Sequence, residues 1–134
     1  MRPDIHGTQD GRLRTDVRRL CRLLTKDFKP EAAVINIVFV TDRRIHVLNR
    51  RFLKRDRPTD VIAFNYAEPR LPGEPRLLGE VYVSRDRARA QAREYGVSNA
   101  SELRRLVLHG LLHLLGLSHA QMRPYYHKYL SRTE

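Results

Sequence analysis

The sequence is short of cysteine, of acidic residues and of long apolar runs, and each shortage closes off a class of protein. A single cysteine, Cys21, cannot form an internal disulfide. A disulfide-stapled secreted scaffold is thereby excluded, and a reducing cytosol is the expected setting. No apolar run approaches the roughly 20 residues that span a bilayer. The opening MRPDIHGTQDG also lacks the apolar centre of a signal peptide. No membrane partner and a cytoplasmic location are expected. Asp and Glu number 15 against 26 Lys and Arg, for a net charge of +11, and 22 of the 26 are arginine. Such an excess favours a polyanionic partner, nucleic acid first. At 134 residues, one domain over 1–134 is expected. A chain of this size buries roughly two-thirds of its unfolded surface, enough for one core.

Hydrophobic periodicity supplies the elements. Residues 1–11 are polar and predict a loose start or a short edge strand. Leu13, Val17, Leu20, Cys21 and Leu24 form the apolar stripe of a helix over 12–26. Cys21 lies on that stripe, which makes it a small core residue rather than a reactive thiol. AVINIVFV, 33–40, is a β-branched strand. Thr41 or Asp42 caps the next helix, with Ile45, Leu48, Asn49 and Phe52 on one face, and KRDRP breaks it. TDVIAFNY, 59–66, and LLGEVYVS, 77–84, are two further strands, joined by an irregular Pro-rich loop over 67–76. Ser84 caps a helix over 85–95 that stops at Gly96. Asn99 with Glu102 resembles a capping box. A long helix then runs through LRRLVLHGLLHLL to Gly116, and a short terminal helix begins at about Gln121. Interleaved strands and helices predict an α+β (mixed α/β) fold with three to four strands in a mixed sheet covered by helices.

Three of the six histidines fall in one window, HGLLHLLGLSH, 109–119. His109 and His113 stand at i and i+4, so their rings project from one helix face within reach of a shared ion. Gly116 can reverse the chain past the helix end, which lets His119 swing round as a third ligand. Three imidazoles leave an open position for water, as in a catalytic zinc site at the end of a long buried helix. The spacing matches that of metzincin-type zinc peptidases, but those need a glutamate after the first histidine. That position is Gly110, so the peptidase mechanism has no proton acceptor. The basic run Arg43, Arg44, Arg50, Arg51, Lys54, Arg55 and Arg57 offers counter-charge for phosphates. Asp60 and Glu80 are candidates to hold the second ring N–H of a metal-bound histidine. His6, His46 and His127 are expected to be ordinary surface or partly buried residues.

HGLLHLLGLSH resembles the signature of the YbeY family of metal-dependent endoribonucleases, written H-G-x-L-H-L-x-G-y-D-H. LNRRFLKRDRPTDVIAF, 48–64, is similar to that family's L-N-x-x-y-R-G-K-D-x-P-T-D-V-L-S-F, and LLGEVYVS to its L-G-D-I-x-I-S strand. The three agree in order over about residues 12–119. The resemblance implies one zinc ion per chain on His109, His113 and His119. It also implies cleavage of single-stranded RNA in 3′-end maturation of small-subunit ribosomal RNA and in ribosome quality control, with no DNA partner. The family's aspartate before the third histidine is Ser118 here. Its R-G-K run aligns with Leu53, Lys54 and Arg55, so Lys54 or Arg55 would have to supply the catalytic cation, and the family's N-terminal strand looks shortened. Arg43, Arg44, Arg50, Arg51 and Arg57 are the expected RNA contacts. The alternative is a metal-stabilised RNA-binding or ribosome-assembly factor with little intrinsic nuclease activity.

Overall fold

Strand β2, Ala33–Val40, alternates between two cores. Its Ile35, Ile37 and Phe39 face the large core, while Val38 faces a smaller one. This period of two is what a strand covered on both faces requires. The structure, a computed structural model, describes residues 1–30, 33–66 and 76–131, Arg76 in its backbone alone. Around β2 stand β1 (Arg2–His6), β3 (Val61–Asn65) and β4 (Arg76–Ser84), in the order β1-β2-β4-β3. β1 and β4 run parallel to β2, and β3 runs antiparallel to β4, so the sheet is mixed. The opening residues thus form the expected edge strand. β3 covers 61–65 of the expected 59–66, and backbone bonds continue one residue past each end, from the Ser84 N–H to the Asp60 carbonyl at 2.8 Å and from the Tyr66 N–H to the Leu78 carbonyl at 3.0 Å. The expected loop over 67–76 lies outside the described residues, save Arg76, which belongs to β4.

Five helices complete the described residues: α1 (Gly11–Phe28), α2 (Asp42–Leu53), α3 (Arg85–Tyr95), α4 (Asn99–Leu114) and α5 (His119–Leu130). The stripe on α1 is buried as its spacing requires. Cys21 is fully buried, and burial pushes its thiol up to about 12. α1, α4 and α5 cover one face of the sheet, meeting Ile35, Ile37, Phe39, Val81 and Val83. α2 covers the other through Ile45 and Leu48, against Val40 and Ile62. No described helix is long and apolar enough to cross a membrane.

Two helix starts differ from expectation. α4 is capped by Ser98, whose Oγ accepts from the Ser101 N–H at 3.0 Å, so Asn99 is already helical. Glu102 does not close a capping box there; its carboxylate holds Arg105 instead. The capping box of this chain is at α5: Ser118 Oγ accepts from the Gln121 N–H, and Gln121 Oε1 accepts from the Ser118 N–H. α5 therefore begins at His119, two residues before Gln121.

Gly110 shows how closely α4 lies on the sheet. A Cβ built there would stand 2.5 Å from Val81 Cγ1 and 3.1 Å from its Cγ2. Val81 is fully buried in β4 and stiff at χ1, so it cannot turn aside cheaply. Overpacking costs about 1–3 kcal/mol, against about 1 kcal/mol of helix propensity gained by alanine. Gly110→Ala should therefore lower stability, by about 1 kcal/mol in urea unfolding. A more stable mutant would show that α4 can back away from β4.

Candidate metal centre

α4 presents a leucine-rich face to the core and Arg105, His109 and His113 on another, spaced i, i+4 and i+8. His109 is half-buried and His113 exposed. Past Leu114 the chain reverses at Gly116, whose φ is +88°, a value a Cβ makes costly. The Gly116 N–H donates to the His113 carbonyl at 3.0 Å, and the Leu117 N–H to the Leu112 carbonyl at 3.2 Å. These two bonds form a Schellman turn. The turn and the α5 capping box together place His119 beside His109, with ring centroids 5.0 Å apart and planes at 75°. The glycine reversal expected from sequence is present, but it shares the positioning of His119 with Ser118, which caps α5 in the place of the family's aspartate.

His109 Nδ1 lies 2.6 Å from the Tyr126 hydroxyl. That hydroxyl also reaches Met122 Sδ at 3.8 Å, so its hydrogen has a second acceptor and its oxygen can accept from Nδ1–H. With the proton on Nδ1, donated to the Tyr126 oxygen, the Nε2 lone pair is the one left for a ligand. Burial, most of all, pushes His109 below the ordinary histidine range. His119 adds to that effect, as do Arg105 and His113, while Asp60 opposes it. The neutral, ligating form is thereby favoured.

The same shift has a consequence for stability. The folded value lies below the unfolded one, so the unfolded chain takes up the proton first as pH falls. The His109 contribution is complete above the ordinary histidine range, about 6.5, and is lost as pH drops through it. With chelator present, His109→Gln should lose less stability than the wild type between about pH 7.5 and 5.5. Equal losses in thermal unfolding would contradict the shift.

Two imidazoles on one tetrahedral ion, each at about 2.0–2.1 Å, put their ring centroids about 5 Å apart. His109 and His119 fit that spacing, and the donor set is one zinc accepts. Among the described residues no three His, Cys, Asp or Glu side chains are gathered to hold an ion as they stand. The geometry thus brings together His109 and His119, with His113 one helical turn along.

The other candidates divide. Asp60 lies within electrostatic reach of His109, Arg105 and Tyr126. Its carboxylate, however, accepts from the Val61 N–H, the Thr59 hydroxyl and the Gln91 amide, not from a histidine. Glu80 does not back a histidine: it points to the α2 side, where it accepts from Tyr66, Tyr82 and Asn36. The exposed Lys54 ends α2 in the left-handed region, φ 58°, and its ammonium lies 3.4 Å from the Arg51 carbonyl. A glycine stands there in the pattern the chain resembles. Neither Lys54 nor Arg55 makes a hydrogen bond or ion pair with a histidine, and Leu53 is exposed. The cation that does sit within electrostatic reach of His109 is Arg105, held by Glu102 through two bonds of 2.7 Å. Sequence reasoning missed both Arg105 and Tyr126; the i, i+4 spacing from Arg105 to His109 was a usable signal for the first. Arg43, Arg44, Arg50, Arg51, Arg55 and Arg57 are all exposed, along α2 and the segment after it. His6 and His127 are exposed as expected, and His46 pairs with Asp56 at 2.8 Å.

The profile of the family described as Endoribonuclease YbeY matches residues 4–128. A protein named Endoribonuclease YbeY from Desulfitobacterium hafniense is 40% identical over 121 residues, covering 86% of this chain and 75% of that protein. One of the same name from Anaeromyxobacter dehalogenans is 47% identical over 89 residues, covering 66% of this chain and 45% of that protein. The solution structure of TM1509 from Thermotoga maritima superposes with a TM-score of 0.68 at 28% identity, over 98% of this chain and 88% of that one.

Proposed function

Since the chain belongs to the YbeY endoribonuclease family, we propose that it is a zinc-dependent endoribonuclease that cuts single-stranded RNA. The finer role we assign is 3′-end maturation of small-subunit ribosomal RNA and quality control of ribosomes in the cytoplasm. The observation that carries the proposal is the His109–His119 pair at 5.0 Å, with the Tyr126 hydroxyl 2.6 Å from His109 Nδ1.

His109, His113 and His119 would hold the ion. When bound, it supplies a Lewis acid and lowers the pKa of water towards about 7. The protein's own share is positional and electrostatic. Tyr126 fixes the ring of His109. Arg105, pinned by the buried carboxylate of Glu102, places a guanidinium near the site where charge builds on the phosphate. Arginine forks on α2 and the segment after it hold flanking phosphates.

Leu53 and Lys54, standing where the family pattern has arginine and glycine, favour a second reading, a metal-stabilised RNA-binding or ribosome-assembly factor. One assay separates the two. Purified protein is incubated with single-stranded RNA, with and without chelator. Chelator-sensitive cleavage is expected; salt-sensitive binding without cleavage would establish the factor instead.

A further inference from the structure

A concave feature lies on the sheet face opposite His109. It is a cavity of about 170 Å³ walled by Leu48 and Phe52 of α2, Phe64 and Tyr66, and Glu80 and Tyr82 of β4. An engineered apolar cavity of about 150 Å³ takes up benzene, so this volume suits one six-membered aromatic ring. Its walls are aromatic. Phe52 meets Phe64 edge-on at 5.6 Å, and Phe64 meets Tyr82 edge-on at 5.9 Å. Phe52 is 55% exposed, unusual for so large an apolar ring, and the Arg51 guanidinium stands 5.4 Å from its centre. A stacking ring and a phosphate-binding cation therefore share the mouth, the pairing that single-strand binders use.

The carboxylate in the wall sets which ring. Glu80 Oε1 accepts from the Tyr66 hydroxyl at 2.5 Å; Oε2 accepts from Tyr82 at 3.1 Å and from Asn36 at 3.4 Å. A carboxylate has about four acceptor sites and no donor, so one site remains on Oε1. A base that presents an amino group satisfies it, whereas the O4 of uracil would meet a negative charge. The basic segment gives the strand a path to the histidines: Arg51 stands at the cavity mouth beside Phe52, and the chain continues through the exposed Arg55 and Arg57 to Asp60, which reaches His109 electrostatically.

We propose that this cavity is a base-selective subsite that takes one cytosine of the single-stranded RNA, its ring against Phe52 and its exocyclic amino group donating to Glu80. The inference rests on the RNA reading of the histidine site and adds base preference to it.

The test is fluorescence-anisotropy binding of short oligocytidylate, oligouridylate and oligoadenylate, with chelator present so that nothing is cut. Wild-type protein should bind oligocytidylate about fivefold or more tightly than oligouridylate. Phe52→Ala, a change at an exposed position, should weaken oligocytidylate binding about tenfold, as loss of one stacked base does. Glu80→Gln replaces one acceptor oxygen with a donor and should narrow or reverse the preference for cytosine over uracil. Equal affinity for the three RNAs, with Phe52→Ala unchanged, would overturn the subsite while leaving chelator-sensitive cleavage intact. Failure of the wild type to bind any of them would overturn the RNA reading as well.

Discussion

His109→Ala should cut the rate of RNA cleavage by roughly a thousandfold or more. Loss of a catalytic ion removes several kcal/mol of transition-state stabilisation, and each 1.36 kcal/mol is tenfold in rate. Of the three proposed ligands His109 has the most support around it: Tyr126 on Nδ1, His119 at 5.0 Å, and burial that favours its neutral form. The fold should survive, because the ring is only half-buried and the leucines of α4 carry the packing. Circular dichroism of the metal-free mutant, matched to metal-free wild type, checks that point. Tyr126→Phe is the graded companion. It keeps the ring and removes the hydroxyl, so metal affinity should fall about 10–100-fold, the usual effect of losing a partner behind a ligand. Undiminished cleavage by folded His109→Ala would remove the histidine from the mechanism.

The second large effect is on RNA affinity. Single-stranded nucleic acid releases counterions with a slope of about −0.7 per phosphate contact in a plot of log affinity against log salt. If Arg51 and Arg55 each hold one phosphate, replacing both with glutamine should reduce the slope by about 1.4. By the same relation, affinity near 0.1 M salt should drop roughly 25-fold. Both side chains are exposed, so the fold is not at stake. Glutamine rather than alanine keeps a polar side chain of similar reach at each position and removes only the charge. An unchanged slope would mean that the phosphates run elsewhere, along Arg43 and Arg44 or across Arg105.

What was legible in the sequence followed from period and punctuation. The α1 stripe, the alternation of β2, Ser84 as a cap and Gly96 as a stop all depend on neighbours within a few residues. The edge strand Arg2–His6 was harder, since its evidence is its pairing with β2, a contact across some 30 residues of chain. The start of α5 at His119 was misplaced because Ser118 and Gln121 form a box with no hydrophobic run to mark it. That Glu80 faces away from the histidines is present in the pattern: it alternates with Val81 and Val83, which carry the apolar pattern of the α4 side. Tyr126 reaches His109 from another helix, 17 positions on, and no local pattern announces that contact. Lys54 and Arg55 were chosen by alignment to a pattern, whereas Arg105 stands near His109 because four residues of helix put it there. Chemistry carried by one helix face is readable from spacing; chemistry assembled between helices waits for the fold.

In the proposed site, His109, His113 and His119 hold one divalent ion together. The most direct test is metal content, by elemental analysis, of protein purified without chelator, wild type beside His113→Ala. His113 is the informative position, because it is exposed and its ring takes little part in the core. One zinc ion per wild-type chain is expected, and close to none in a folded mutant. A wild type with no bound metal, or a His113→Ala protein that keeps its full complement, would contradict it.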